Sequence, residues 1–410
     1  MGLGALVGTL SGLVGVGLLA CLHALADPVG RWSLAPLAPV LAGILTAVLA
    51  RDVDGAHGTG VPAVRAAART DRPLPLATGL GHLAATAACL GTGWTGGREG
   101  PMLHAGATIG SAVAARAAAV RRLPELPRLR LHLVAAGAAG GVAGVVNTPA
   151  GAALLVWALL LRRPRGRRID VLGGLVVVAG AAAGSFVHGV VWAPGPLVPT
   201  SVAAMSPGVA CIIGFAAAPA AIALVIAVHS APRLLSGLDG ILPLPVVGGV
   251  LVAATVLVVP QTAGTGTAVL TGTAPATAGL PLLVAMLAAA VLMPAVTVAA
   301  RGCGGTIGPA LVLGCIVGEL VARGAAALQV GELAGHPEAC RIVGMAAVLA
   351  AASRLPSAAV VTVIELTGAV ATTGAVLVGA IVASVMVAAG TTATLFRQAA
   401  PRTDTIRVPA

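Results

Sequence analysis

From Leu172 to Val191 the chain carries no Asp, Glu, Lys or Arg, and that stretch excludes most ways of folding. About 20 apolar residues cross the hydrocarbon core of a bilayer as a helix. Ala203 to Val228 is a second such run, and Leu34 to Ala50, Val246 to Val259 and Ala375 to Ala389 are long enough for spans or tilted half-spans. Lipid offers the backbone no hydrogen-bond partners, so a spanning segment of this kind satisfies its amides internally as a helix. An all-α, polytopic membrane protein set in a lipid bilayer is expected. Composition agrees: 58% of residues are hydrophobic and 9% charged, where soluble domains hold about 45–50% and about 25%.

The formal net charge of +11 comes from arginine, with no lysine in the chain. In a soluble protein such a balance would invite a nucleic-acid partner. Here the basic segments, Arg121 to His132 and Arg162 to Arg168, are short and lie between apolar runs. That is the positive-inside pattern of cytoplasmic loops, so no nucleic-acid partner is expected. The six cysteines form no CxxC pair and read as small buried hydrophobes, so neither a metal site nor a disulfide frame is expected. The first apolar segment has no basic leader, and "CLHALADPVG" has no small-x-small cleavage site. It reads as a retained first helix.

Three landmarks recur. Gly58-Thr59-Gly60 returns as Gly264-Thr265-Gly266; "GREGP" (Gly97 to Pro101) is echoed by "GTIGP" (Gly305 to Pro309); "NTPAGAALLV" from Asn147 matches "RLPSAAVVTV" from Arg354. The offsets are 206, 208 and 207 residues, so the chain divides into repeats of 1–200 and 201–410 that together form one membrane domain. The 56 glycines and 28 prolines interrupt many apolar runs. Several helices should therefore be short, tilted or broken, and irregular backbone at that depth survives only inside protein or beside a water-filled path.

Each landmark places glycines, then proline, before a helix-forming run. Proline suits the first helical turn, and glycine lets backbone approach a guest closely. The product is a helix N-terminus with unpaired N–H donors and partial positive charge, which suits an anion. Such partial charges bind weakly enough for permeation. The competing reading for any one turn is close helix packing; three repeated turns favour the ion path. Glu99, a carboxylate beside such an end, mimics the anion and can take its place, acting as a gate and a proton carrier. Arg98 beside it serves as part of the turn, with its backbone N–H as the contact.

Among the other acidic residues, Asp52, Asp54, Asp71, Asp170 and Asp239 fall at loop positions. Glu319 precedes Arg323 at helical spacing and should pair with it. Glu365, inside an apolar run, is expected to be hydrogen-bonded to neighbouring backbone, and His104 to be hydrogen-bonded rather than to tune Glu99. HExxH, GxSxG and close paired aspartates are missing, so no enzyme activity is expected.

These residues resemble the CLC family of chloride channels and proton-coupled chloride transporters. "GREGP" is its most specific signature. "GTGVP" (Gly58 to Pro62) is similar to the family's GSGIP, "GGTIGP" (Gly304 to Pro309) to its GGIFAP, and Gly344 to Gly368 to its GxxAxLAAxxRAPLxxxxxxxEMT stretch. The similarity runs from about Gly8 to about Thr394. It implies a homodimer with one pore per subunit, each built from two inverted repeats, in a cell membrane, the inner membrane in a bacterium. It also implies chloride as transported ligand, no other cofactor, and a chain ending without the cytosolic nucleotide-sensing pair of some relatives.

Carried over residue by residue, the Thr59 hydroxyl and amides near Ile307 would hold a central chloride. Amides around Arg98, Glu99, Gly100, Ile307 and Gly308 would hold the outer anion, Thr306 would be a further anion-binding residue, and Glu99 would be the gate. Gly58, Gly60, Pro62, Gly97, Pro101, Gly305 and Pro309 would shape the path. The chain departs from the family in three ways. Ala158 and Leu159 stand where proton-coupled members carry an inner glutamate, there is no tyrosine to help hold central chloride, and the phenylalanine of GGIFAP is Ile307. The missing inner glutamate favours channel-like or weakly proton-coupled chloride transport; a chloride/proton antiporter is the alternative. Nitrate or another small inorganic anion ranks below chloride, and fluoride ranks low.

Overall fold

The computed structural model describes residues 1–31, 35–53, 57–121, 127–161, 170–192, 202–236, 243–391 and 393–396. The basic segment 162–168, most of 121–126, and Asp54 and Asp239 lie outside them. The first half holds α1 (Gly2–Arg31), α2 (Ala38–Asp52), α3 (Val61–Thr70), α4 (Leu76–Gly91), α5 (Glu99–Arg121), α6 (Pro127–Val146), α7 (Pro149–Val156) and α8 (Val171–Trp192). The second holds α9 (Pro207–Leu235), α10 (Leu244–Val258), α11 (Thr267–Leu270), α12 (Thr273–Thr277), α13 (Leu280–Ala299), α14 (Ile307–Ala327), α15 (Gly331–Gly335), α16 (Pro337–Ser353), α17 (Pro356–Thr367) and α18 (Thr373–Gly390). Among the described residues no sheet forms; two isolated bridges pair Gly58 with Cys303 and Gly97 with Gly305.

Seven of these helices are long and apolar enough to cross a bilayer, and five more, α2, α4, α7, α10 and α17, are apolar but short. The short ones are the expected broken elements. Proline stands in the first turn of α2, α3, α7, α9, α10, α13, α16 and α17, where its missing N–H costs nothing and its fixed φ suits the helix.

The two halves pack alike. In the first, α1, α6 and α8 form a mutual trio with α5 laid on α6; in the second, α9, α16 and α18 form a trio with α14 laid on α16. Backbone angles repeat too. Asn147 and Arg354, each two residues before the proline that opens α7 or α17, sit at φ of 56° and 59°. Gly58 and Gly60 have φ of 84° and 75°, and Gly264 and Gly266 have 62° and 67°.

Glycine on the inward faces sets how close the helices come. On α8, Gly173, Gly180 and Gly184 are buried while Leu172, Leu175, Val178, Phe186 and Val190 face outward, as a lipid-facing helix requires. Gly8 and Gly12 of α1, Gly140 and Gly144 of α6, and Gly180 and Gly184 of α8 meet backbone to backbone. Each pair has the four-residue spacing that brings membrane helices into contact. The α5–α6 contact is made through Gly106 and Gly137, and the α14–α16 contact through Gly314 and Gly344.

Between the halves the described backbone makes six hydrogen bonds, and every donor and acceptor is a glycine. Gly58 donates to Gly302 and accepts from Gly304; Gly97 and Gly305 exchange a reciprocal pair; Gly96 donates to Gly264, and Gly264 to Gly93. α7 and α17 pack on each other across the same boundary.

Candidate anion site

The glycine bonds gather the landmarks at one place. Gly60 precedes α3, Arg98 precedes α5 and Thr306 precedes α14. The carbonyls of Arg98 and Thr306 take the first helical bonds, from the amides of Met102 (3.1 Å) and Ala310 (3.2 Å). The N–H groups of Glu99, Gly100, Ile307 and Gly308 thus lie in the first turns of two helices whose starts face each other across the Gly97–Gly305 pair. Gly100 is packed so tightly that a Cβ would overlap the Thr59 carbonyl and come within 3.1 Å of the Gly305 Cα. Pro62, Pro101 and Pro309 each fall in the first turn of α3, α5 and α14. All the sequence-derived site residues therefore fall in three abutting segments.

Glu99 is buried, and its Oε2 has no hydrogen-bond partner. The carboxylate folds back over the start of its own helix into the space between Gly97 and Gly308. A Cβ on Gly97 would overlap Oε2 and come within 2.8 Å of the Gly308 nitrogen. No ion pair joins Arg98 and Glu99 among the described residues. The carboxylate faces the amides of Glu99 itself and of Gly308, at the starts of α5 and α14.

A cavity of about 20 Å³, measured as space for the centre of a water-sized sphere, opens beside Glu99. Its lining includes Glu99 and Ile307, Thr148, Ala152 and Leu155 of the α7 segment, and Phe396. A ring without a hydroxyl therefore stands at this wall of a chain that has no tyrosine. α7 runs on into a π-helical turn, Trp157–Leu161, which carries the partly buried Ala158 and Leu159.

The α7 copy of the third landmark does not offer free amides at Ala150 and Gly151. The Glu365 carboxylate of α17 accepts the N–H of Ala150 (3.0 Å) and of Gly151 (2.8 Å) and so occupies the start of α7. This is the backbone role expected of Glu365, and it leaves α5 and α14 as the candidate helix ends for an anion. Glu365→Ala should therefore destabilise the protein by about 2 kcal/mol, within the range for hydrogen bonds to a charged group. Thermal unfolding in detergent measures it; an unshifted midpoint would refute the cap.

His104 pairs with a partner that has no sequence signal. Its Nδ1 lies 2.9 Å from Nδ1 of His82, whose Nε2 lies 3.0 Å from the Gly58 carbonyl. The carbonyl can only accept, so His82 donates from Nε2, accepts at Nδ1, and His104 carries the Nδ1 proton. This chain of bonds holds the Gly58–Gly60 turn from behind. Glu319 bonds Arg323 at 2.8 Å as its spacing implies, and also Arg341 of α16 at 2.7 Å. Asp71 and Asp170 are structural: Asp71 lies 3.8 Å from Arg130, and Asp170 caps Gly173 and bonds His132.

Residues 42–388 match the family model described as voltage gated chloride channel. The chain is 34% identical over 173 residues to the H(+)/Cl(-) exchange transporter ClcA of Klebsiella pneumoniae subsp. pneumoniae, an alignment covering 37% of this chain and 34% of that relative. The chain thus spans about a third of the length of the relatives it matches at that identity. It is 26% identical over 402 residues to ClcA of Vibrio parahaemolyticus, covering 88% of this chain and 81% of that one. Among solved structures, a slow cyanobacterial Cl-/H+ antiporter superimposes with a TM-score of 0.85 at 20% identity, over 96% of this chain and 95% of the other. A CLC-type fluoride/proton antiporter gives 0.78 at 18%, over 96% of each. At these identities the superpositions show the shared fold.

Proposed function

The chain belongs to the voltage gated chloride channel family, and from that membership we propose that it is a chloride/proton exchanger gated by Glu99. The observation that carries this reading is the buried Glu99 carboxylate, its Oε2 without a hydrogen-bond partner, at the meeting point of two helix starts. Amides of the first turns of α5 and α14 hold a chloride by partial charge, with the Thr59 hydroxyl as an inner ligand. An ionised Glu99 competes for the same place; a protonated one is neutral and yields it. One side chain thereby links the entry of an anion to the uptake of a proton.

Ala158 and Leu159 give the opposite expectation, a channel-like path, since no inner carboxylate exists to pass protons on. Exchange is preferred because the relatives above are named as chloride/proton exchangers and because the gating carboxylate itself is in place. Chloride is the substrate, and the protein works as a homodimer in the cell membrane. Reconstituted protein under an outward chloride gradient should drive protons uphill into the vesicles. Rapid chloride loss without proton movement would return the channel reading.

A further inference from the structure

The cavity beside Glu99 is lined mostly by apolar side chains, yet two of its lining residues each carry one buried polar atom that has no partner. The atoms are Oε2 of Glu99 and Oγ1 of Thr148. Thr148 is 1% exposed and precedes α7 without capping it. Its surroundings explain why the hydroxyl is free. The amides it would otherwise cap are served by Glu365, and neighbouring Asn147 accepts the Ser185 hydroxyl through Oδ1 at 2.6 Å. Ser353, also in the wall, is fully engaged, donating to the Leu349 carbonyl and accepting from the Leu355 amide. Glu99 is the charged side chain facing the cavity; Glu365 is turned onto the α7 amides.

Buried polar atoms are satisfied in native proteins by protein or by ordered water. A pocket of about 20 Å³ holds a water, which needs about 10–15 Å³ and two or more polar partners. Glu99 and Thr148 supply two. We propose that Thr148 is a positioning residue for proton transfer: its hydroxyl holds a water against the Glu99 carboxyl, giving this chain a proton route where Ala158 and Leu159 provide no carboxylate. The Glu99 carboxyl gives its proton to that water as the water passes one of its own to a further solvent water on the side away from Glu99, which leaves Glu99 as a carboxylate, turns that solvent water into hydronium and regenerates the held water. The reverse order loads Glu99. Thr148 donates to or accepts from the water and does not itself ionise. This role rests on the exchange reading above.

The test compares wild type, Thr148→Val and Thr148→Ser in proteoliposomes, with chloride and proton fluxes recorded together. Valine keeps the shape and removes the hydroxyl; serine restores the hydroxyl. The proton-to-chloride flux ratio should fall about tenfold in Thr148→Val, the loss of one typical hydrogen bond, and return in Thr148→Ser. An unchanged ratio would overturn the proposal, including the case where both fluxes fall together, which would make the hydroxyl an anion ligand. If Thr148→Val does not yield folded protein, the ratio in Thr148→Ala decides in the same way. A wild type that drives no protons would instead defeat the exchange reading and this role with it, whereas a coupled wild type with an equally coupled Thr148→Val defeats this role alone.

Discussion

Glu99→Gln should move chloride at a rate that no longer depends on pH and should drive no protons. Glutamine fills the same space between Gly97 and Gly308 but carries neither a charge nor a transferable proton, so both properties assigned to the carboxylate vanish together. Positioned proton-transfer groups contribute about 10²–10⁴-fold, and proton flux should fall by at least about 100-fold. Chloride and proton fluxes in proteoliposomes between about pH 4 and pH 8 check it, Glu99 being the titrating group removed. A variant that still pumped protons, or whose chloride flux kept its pH response, would remove Glu99 from the gate.

The second large effect is on folding. Gly140→Val should not yield a monodisperse protein. A Cβ at Gly140 would lie 2.6 Å from the Gly8 Cα and 2.9 Å from the Gly180 carbonyl oxygen, and both are backbone atoms that cannot rotate away. Overpacking commonly costs about 1–3 kcal/mol even where side chains can yield. Valine here would force α1, α6 and α8 apart together, against a typical total stability of about 5–15 kcal/mol. Gly17→Ala in α1 is the control, since nothing lies within 4 Å of its position. It should raise stability slightly, by about 0.5–1 kcal/mol, because alanine favours the helix. Size-exclusion profiles and thermal unfolding separate the two; a well-behaved Gly140→Val would show the junction to be slack.

The parts of the fold legible in the sequence are those governed by local rules. Apolar run lengths mark α8, α9 and α18, proline marks helix starts, and the recurring landmarks mark positions where backbone angles repeat. Glu99 stands out because a carboxylate in such a chain has few reasons to exist. The second tier is hidden because it depends on which helices meet. Nothing local distinguishes Thr148 from any residue before a proline, or shows that Glu365, more than 200 residues away, silences the start of α7. His82 and His104 are 22 residues apart on different helices, and only the α4–α5 packing brings their rings together. Arg341 is hidden for the same reason, since the Glu319–Arg323 spacing already gives Glu319 a partner.

The six glycine-to-glycine bonds between the halves bear on how fast the protein can work. A carrier that rocked its halves apart would break them on every turnover, and an amide–carbonyl bond in an apolar medium is worth about 4–6 kcal/mol. Rotating one side chain breaks none of them, and rotamer changes occur in picoseconds to nanoseconds where domain motions take microseconds to milliseconds. On the proposal that Glu99 gates the path, the frame would stay closed throughout the cycle, and access would alternate on the scale of a single carboxylate.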